Sequence, residues 1–302
     1  MAKIAVKLEQ ALRLRAAHGY AGEAKPHIVA QGDGWTVADV VCTCGPQDHA
    51  FEEQLSNHTI ALVTAGSFQY RGGSGCELML PGSFVLGNAG QYFECGHEHG
   101  FGDRCLAFWY TQEYFERLAA DAGARSTNFS ALRLPPLRDI SGISARAEAA
   151  LARAEAAATL TTKESGTAWE EISAELAGKV IGLANQISPK QSCATPSALA
   201  RVTRALRAIE SNPDGSLGLA ALARRAGLSP YHFLRIFKQL TGLTPHQYIL
   251  RCRLRESAAR VAHEQARIGD IALDSGFGDV SNFNRAFHAE FGVSPRAFRS
   301  KL

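Results

Sequence analysis

Between residues 26 and about 112, short apolar runs alternate with polar residues and are broken by glycine. WTVADVVCTC (35–44), TIALVTAGSFQYR (59–71), ELMLPGSFVLGNAGQYFEC (77–95) and RCLAFWYT (104–111) carry the period of strands. Gly66, Gly72, Gly73, Gly75, Pro81 and Gly82 mark turns between them. Many short strands with Gly-rich turns predict a β-sandwich or barrel. From Glu113 the period changes to helical, through EYFERLAADAG, ISARAEAALARAEAAATL (143–160) and AWEEISAELAGKVIGLANQI (168–187). Trp169, Ile172, Leu176, Val180 and Leu183 form an apolar stripe in the last of these. Such a stripe can simply pack on the chain's own β-domain; the expectation is that the helix pair also forms the seam of a dimer. SPKQSCATPS (188–197) is polar and proline-bearing and reads as a linker.

From Ala198 onward the pattern is helical almost throughout. LGLAALARRAGLS (217–229) predicts a short helix ended by Gly227, followed by a helix with Ser229 as N-cap and Pro230 at its first position. Helix, glycine turn, helix is the helix-turn-helix signature. Phe233, Ile236, Phe237 and Leu240 fall on one face, leaving Tyr231, His232, Leu234, Arg235 and Lys238 outward. The plan then repeats: FLRIFKQLTGLTP (233–245) returns fifty residues later as FNRAFHAEFGVSP (283–295). In the second copy Phe283, Ala286, Phe287 and Phe291 face inward, and Ser281, Asn282, Asn284, Arg285 and His288 outward. Residues 245–263 lack a breaker and predict one helix of ~27 Å at ~1.5 Å per residue. Half-sites on one DNA face lie one turn, ~34 Å, apart, so such a rod can hold two groove readers.

Charge sharpens that picture. The whole chain has 302 residues and a net charge of +3. Residues 198–302 hold 16 basic and 8 acidic residues; residues 1–197 hold 16 basic and 21 acidic ones. A basic block beside an acidic one points to a polyanion partner for the basic block alone. No apolar run approaches the roughly 20 residues of a membrane span. Charged residues interrupt the first 20 positions, which read as a short amphipathic helix rather than a signal peptide. Seven scattered cysteines, an odd number, fit a reducing cytoplasm better than a secreted disulfide scaffold.

The C-terminal residues resemble the AraC/XylS family of bacterial transcription regulators. The resemblance runs from 205 to 300 and rests most on IGDIALDSGFGDVSNFNRAFHAEFGVSPRAFR, then on LAALARRAGLSPYHFLRIFKQLTGLTP. It implies base contacts by Tyr231, His232 and Arg235 in the first copy and by Val280, Ser281, Asn282 and Asn284 in the second. Lys238 adds to the basic outer face, while Arg285, Arg296 and Arg299 are phosphate contacts or internal ion pairs. It also implies an α+β layout: a cupin-like effector-sensing barrel with flanking helices at 1–132, a helical dimerisation segment at 133–190 and a linker at 191–197. The all-α double helix-turn-helix domain then spans 198–302. LPGSF (80–84) is similar to the cupin's second strand motif, but its metal triad is incomplete. The early strand has only His58, and His97-Glu98-His99 comes too late.

CGHEHGFGDRC (95–105) and Cys42-Thr43-Cys44 stand apart from that pattern. If 95–99 is extended, Cys95, His97 and His99 project to one side, as do Cys42 and Cys44. With Cys105 they offer the ligands of zinc or another soft transition metal, and Asp103 is placed to orient a histidine. A redox reading has Arg104 beside Cys105 lowering a thiol pKa. A third reading makes the cysteines buried small apolar residues, with an organic effector elsewhere in the barrel. The sequence as a whole reads as a cytoplasmic, non-enzymatic regulator of transcription. Its partners would be double-stranded DNA, a small-molecule or metal effector, a second copy of itself and RNA polymerase, with no membrane. A cupin-type metalloenzyme fused to a DNA-binding module, using His97, His99 and Asp103, is the alternative.

Overall fold

The structure is a computed structural model that describes residues 3–124, 126–157, 166–187, 194–213, 215 and 217–300. By its contacts the chain divides into two compact units, Lys3–Cys193 and Ala194–Leu302. Part of the expected linker, 188–193, lies outside the described residues.

The first unit opens with α1 (Lys3–His18), then β1 (Ala24–Gly32), β2 (Trp35–Cys42), β3 (Phe51–Gln54), β4 (His58–Gly66), β5 (Phe68–Gly72), β6 (Gly75–Met79), β7 (Phe84–Gly87), β8 (Tyr92–Gly96) and β9 (Asp103–Tyr110). It continues with α2 (Gln112–Asp121), β10 (Arg133–Leu134), α3 (Arg138–Ala157) and α4 (Gly166–Ala184). The strands form two sheets, ordered β1-β2-β9-β4-β7-β10 and β3-β8-β5-β6, rather than one closed barrel among the described residues. Side chains alternate along a strand, so each central strand serves two layers. Ile60 and Leu62 of β4 and Leu106 and Phe108 of β9 pack with α2, α3 and α4. Ala61, Val63, Cys105 and Ala107 face the smaller sheet, with Phe68, Tyr70 and Met79. The unit is thus three layers: helices, large sheet, small sheet.

Two expectations change here. Trp169, Ile172, Leu176 and Val180 are buried in the unit's own core, so these four side chains are taken up by the chain itself. A stripe at helical spacing marks a buried face without saying what buries it. Arg104 lies next to Cys105 on β9 and so projects to the opposite side. Its fully buried guanidinium pairs with Asp39, through Nε at 2.7 Å and Nη2 at 3.0 Å, and with Glu155. It therefore cannot activate the Cys105 thiol.

The second unit is all helical: α5 (Pro196–Glu210), α6 (Leu219–Ala226), α7 (Pro230–Thr241), α8 (Pro245–His263), α9 (Ile268–Asp274), α10 (Val280–Phe291) and α11 (Pro295–Ser300). Local chemistry places the boundaries. The Ser229 hydroxyl accepts from His232 N and the Asp279 carboxylate from Asn282 N, satisfying free N–H groups at the starts of α7 and α10. Gly242 (φ 81°) and Gly292 (φ 75°) end those helices in the left-handed region that favours glycine. Thr244 and Gln247 close a capping box that starts α8.

Candidate nucleic-acid interface and the inter-sheet cavity

In the helical unit, burying the phenylalanines of α7 and α10 sets which residues face out. Phe233, Phe237, Phe283 and Phe287 are completely buried. Tyr231 is 78 % exposed, and His232, Arg235 and Lys238 lie beside it on the surface of α7. The face of α10 offers Ser281, Asn282, Asn284, Arg285 and His288, all exposed, with Val280 at its start. Arg235 and Lys238 have no ion pair among the described residues, whereas Arg285 donates from Nη2 to Asn282 Oδ1 at 3.2 Å. Arg296 is exposed on α11.

Arg299 is half-buried, and the structure assigns it to the interior. Its Nε donates to Val261 O at 3.1 Å and its Nη2 to Ala266 O at 2.9 Å. These carbonyls lie in the last turn of α8 and just beyond it, where a cation is favoured. Two further arginines do similar work that their sequence positions do not reveal. Arg201 donates to Ala226 O (2.9 Å) and Gly227 O (2.8 Å), clamping the first turn. Arg253 donates to Pro213 O (2.6 Å) and Gly276 O (2.9 Å), clamping the second. Only a fold can show which basic residues turn inward to carbonyls.

In the strand-rich unit, a cavity of about 410 Å³, open on one side, lies between the two sheets. It exists because the large sheet presents small residues there, among them Thr59, Ala61, Cys105 and Ala107, opposite Phe68, Tyr70 and Phe93. The Tyr70 hydroxyl is buried with no hydrogen-bond partner among the described residues, and burial raises its pKa, so it stays protonated. Cys42, Cys95, Asp103 and Cys105 line part of the wall. His58 turns to the helix side, stacked on Phe115 at 4.3 Å and paired to Gln112 at 2.7 Å, away from the cavity.

The cysteine and histidine candidates do not gather as their alternation suggests. β8 ends at Gly96, and His97 opens a turn in which Gly100 N donates to His97 O, so 95–99 is not one extended strand. The ligand atoms of Cys42, Cys44 and His97 lie within 4.8 Å of one another, while Cys95, Cys105 and His99 fall outside that group. His97 Nε2 meets Asp103 Oδ1 at 2.7 Å, and Cys105 donates its S–H to Asp103 Oδ2 at 3.3 Å. Burial, with the Asp103 carboxylate adding to it, raises the pKa of Cys42, Cys95 and Cys105, and burial raises that of Cys44. The thiolate is the reactive form, so this setting does not supply the lowered thiol pKa that the redox reading supposes.

A family model described as a helix-turn-helix domain matches residues 222–301. The activator RhaS of Shigella boydii is 42 % identical over 79 residues, covering 26 % of this chain and 28 % of that protein. The probable regulator LumQ of Photobacterium leiognathi is 34 % identical over 91 residues, 30 % of this chain and 37 % of its own length. The match thus spans about a third of these relatives. An AraC-type DNA-binding-domain regulator from Chromobacterium violaceum overlays 35 % of this chain and 96 % of its own, at 26 % identity and a TM-score of 0.34. The second unit of this chain thus carries an AraC-type helix-turn-helix domain of the kind found in these transcription regulators.

Proposed function

We propose that the chain is a cytoplasmic, sequence-specific regulator of transcription that binds double-stranded DNA through α7 and α10. The observation that carries this is the repeated motif itself: two outward faces, at Tyr231–Lys238 and Val280–Arg285, built alike and joined by the 19-residue α8. Base edges in the major groove are read by hydrogen bonds from such faces. Arg235 and Asn284 are the base readers of this proposal, and Lys238 and Arg296 supply phosphate contacts. Two sheets facing each other around a cavity support a cupin-like sensing role for the strand-rich unit. The effector that fits is uncharged and largely apolar, with one polar group to meet the unpartnered Tyr70 hydroxyl. A second copy and RNA polymerase complete the partners of this reading. The test is footprinting of the full chain on a selected site. Protection over about two turns of one DNA face is expected; protection of a single groove overturns the two-reader account.

A further inference from the structure

We propose that Cys42, Cys44 and His97 form a binding site for zinc beside the inter-sheet cavity. The three are buried, and their sulfurs and ring nitrogen lie within 4.8 Å of one another. Ligands bound to zinc at ~2.0–2.3 Å in a tetrahedron sit ~3.5–3.8 Å apart, so small side-chain movements close the site. A second observation points the same way. His97 Nδ1 is buried and has no hydrogen-bond partner among the described residues. Its other nitrogen is held by Asp103, which keeps the ring turned and its proton on Nε2, leaving Nδ1 as a free acceptor. A carboxylate behind a histidine is the usual support of a metal ligand. The ring also rests on Phe68, centroids 5.8 Å apart, which limits its rotation.

The backbone around the two cysteines is fixed in advance. Asp48 accepts from Gly45 N at 2.6 Å and Gly22 N at 3.1 Å, and pairs with Arg15, tying down the loop after Cys44. Gly102 N donates to Cys44 O at 2.7 Å. Gly102 has φ 63°, and an added Cβ would lie 2.6 Å from Cys42 O, so a glycine is needed for this approach.

Charge selects the ion. Two thiolates and a neutral imidazole around a divalent cation make a neutral cluster, which a buried site tolerates. A monovalent soft cation would leave a net negative charge beside Asp103, which is itself buried. Three ligands leave one tetrahedral position for water or a small molecule. Cys42 also lines the cavity, so metal and cavity contents meet at one residue. This site rests on the strand-rich unit alone and stands or falls apart from the DNA-binding proposal.

The test uses the full chain, purified and refolded with and without zinc. We expect one zinc per chain by mass spectrometry. With cobalt in its place, the charge-transfer bands should have the intensity of two thiolates. Cys42→Ser and Cys44→Ser should each halve that intensity, and His97→Gln should weaken binding while keeping both thiolate bands. Asp103→Asn should weaken zinc about 10–100-fold with the cobalt spectrum unchanged. Cys76→Ser and Cys95→Ser should bind as the wild type does. Two results overturn the site: wild-type protein that takes no stoichiometric zinc, or a cobalt complex without thiolate bands. Both are read on the wild type, so a variant that misfolds does not blunt them.

Discussion

In the first helix-turn-helix copy, the rings of Phe233 and Phe237 lie 5.5 Å apart and Phe237 meets Tyr248 edge-on at 6.0 Å. In the second, Phe283 and Phe287 lie 5.4 Å apart and Phe287 meets Phe298 edge-on at 5.6 Å. The buried geometry is nearly the same. The outward chemistry is not. Residues 218–244 hold four basic and no acidic residues, whereas residues 267–294 hold two basic and four acidic ones, of which Glu290 is buried against Arg251 and the other three are outward. Close packing tolerates few changes, and the two buried faces are alike. The outer face answers only to what it touches. On the reading proposed above, the first copy supplies most of the attraction to phosphate, and the second reads with neutral amides and hydroxyls.

The largest effect tests the likeness. Phe237→Ala and Phe287→Ala should each cost about 3–5 kcal/mol, to a similar degree, because each leaves an equivalent cavity. Urea unfolding of both variants checks this, and costs differing by more than half would show that the copies pack differently. The next tests the contrast. Arg235→Ala should lose about 1–3 kcal/mol on the preferred site and relax the choice of base there. Lys238→Ala should lower the salt slope by about 1, whereas Asn282→Ala should leave it unchanged. Binding isotherms over a salt series decide between them; equal slopes for the two variants would erase the contrast. Arg299→Ala should lower stability by about 1–2 kcal/mol through its lost carbonyl contacts, with the salt slope as in the wild type. A reduced slope would return Arg299 to the DNA interface.

The smallest effect is one of pH, at the junction of α5 and α8. Tyr248 donates to Glu210 Oε1 at 2.5 Å, and burial pushes the Glu210 carboxyl up to about 7. A raised acid binds a proton in the folded state that the unfolded chain has already lost. Its stabilising contribution is therefore complete below the usual 4.5 and falls as pH rises towards 7. Glu210→Gln should flatten the stability profile of the helical unit between pH 5 and 8. An unchanged profile would place the titration elsewhere. The second copy has Phe298 at the position of Tyr248 and so carries no counterpart of this pair.

Much of the helical unit could be read from residues close in sequence. Ser229 and Pro230 start α7, Gly242 ends it, and the unbroken run 245–263 is α8. Each signal acts within one or two turns of the backbone it controls. The strand-rich unit was less legible. β1 carries Pro26 and is mostly exposed, as an edge strand permits, so its apolar pattern is weak. β3 and β10 have only four and two residues, too short to show a period. Alternation puts Cys95 and His99 beside His97 only if the strand continues, and the turn after Gly96 separates them.

By itself, the sequence determined what nearest neighbours decide: helix caps, glycine turns, the aromatic face of each copy and the surplus of basic charge in the second unit. Only the tertiary structure decided which of those groups meet others far along the chain. It buried the Trp169–Val180 stripe in the unit's own core, sent Arg104 to Asp39 and Arg299 to the end of α8, and brought Cys44 to His97 across more than fifty residues. The reason is physical. Periodicity says which side of an element is buried, but the partner that buries it is chosen by packing among all the elements at once.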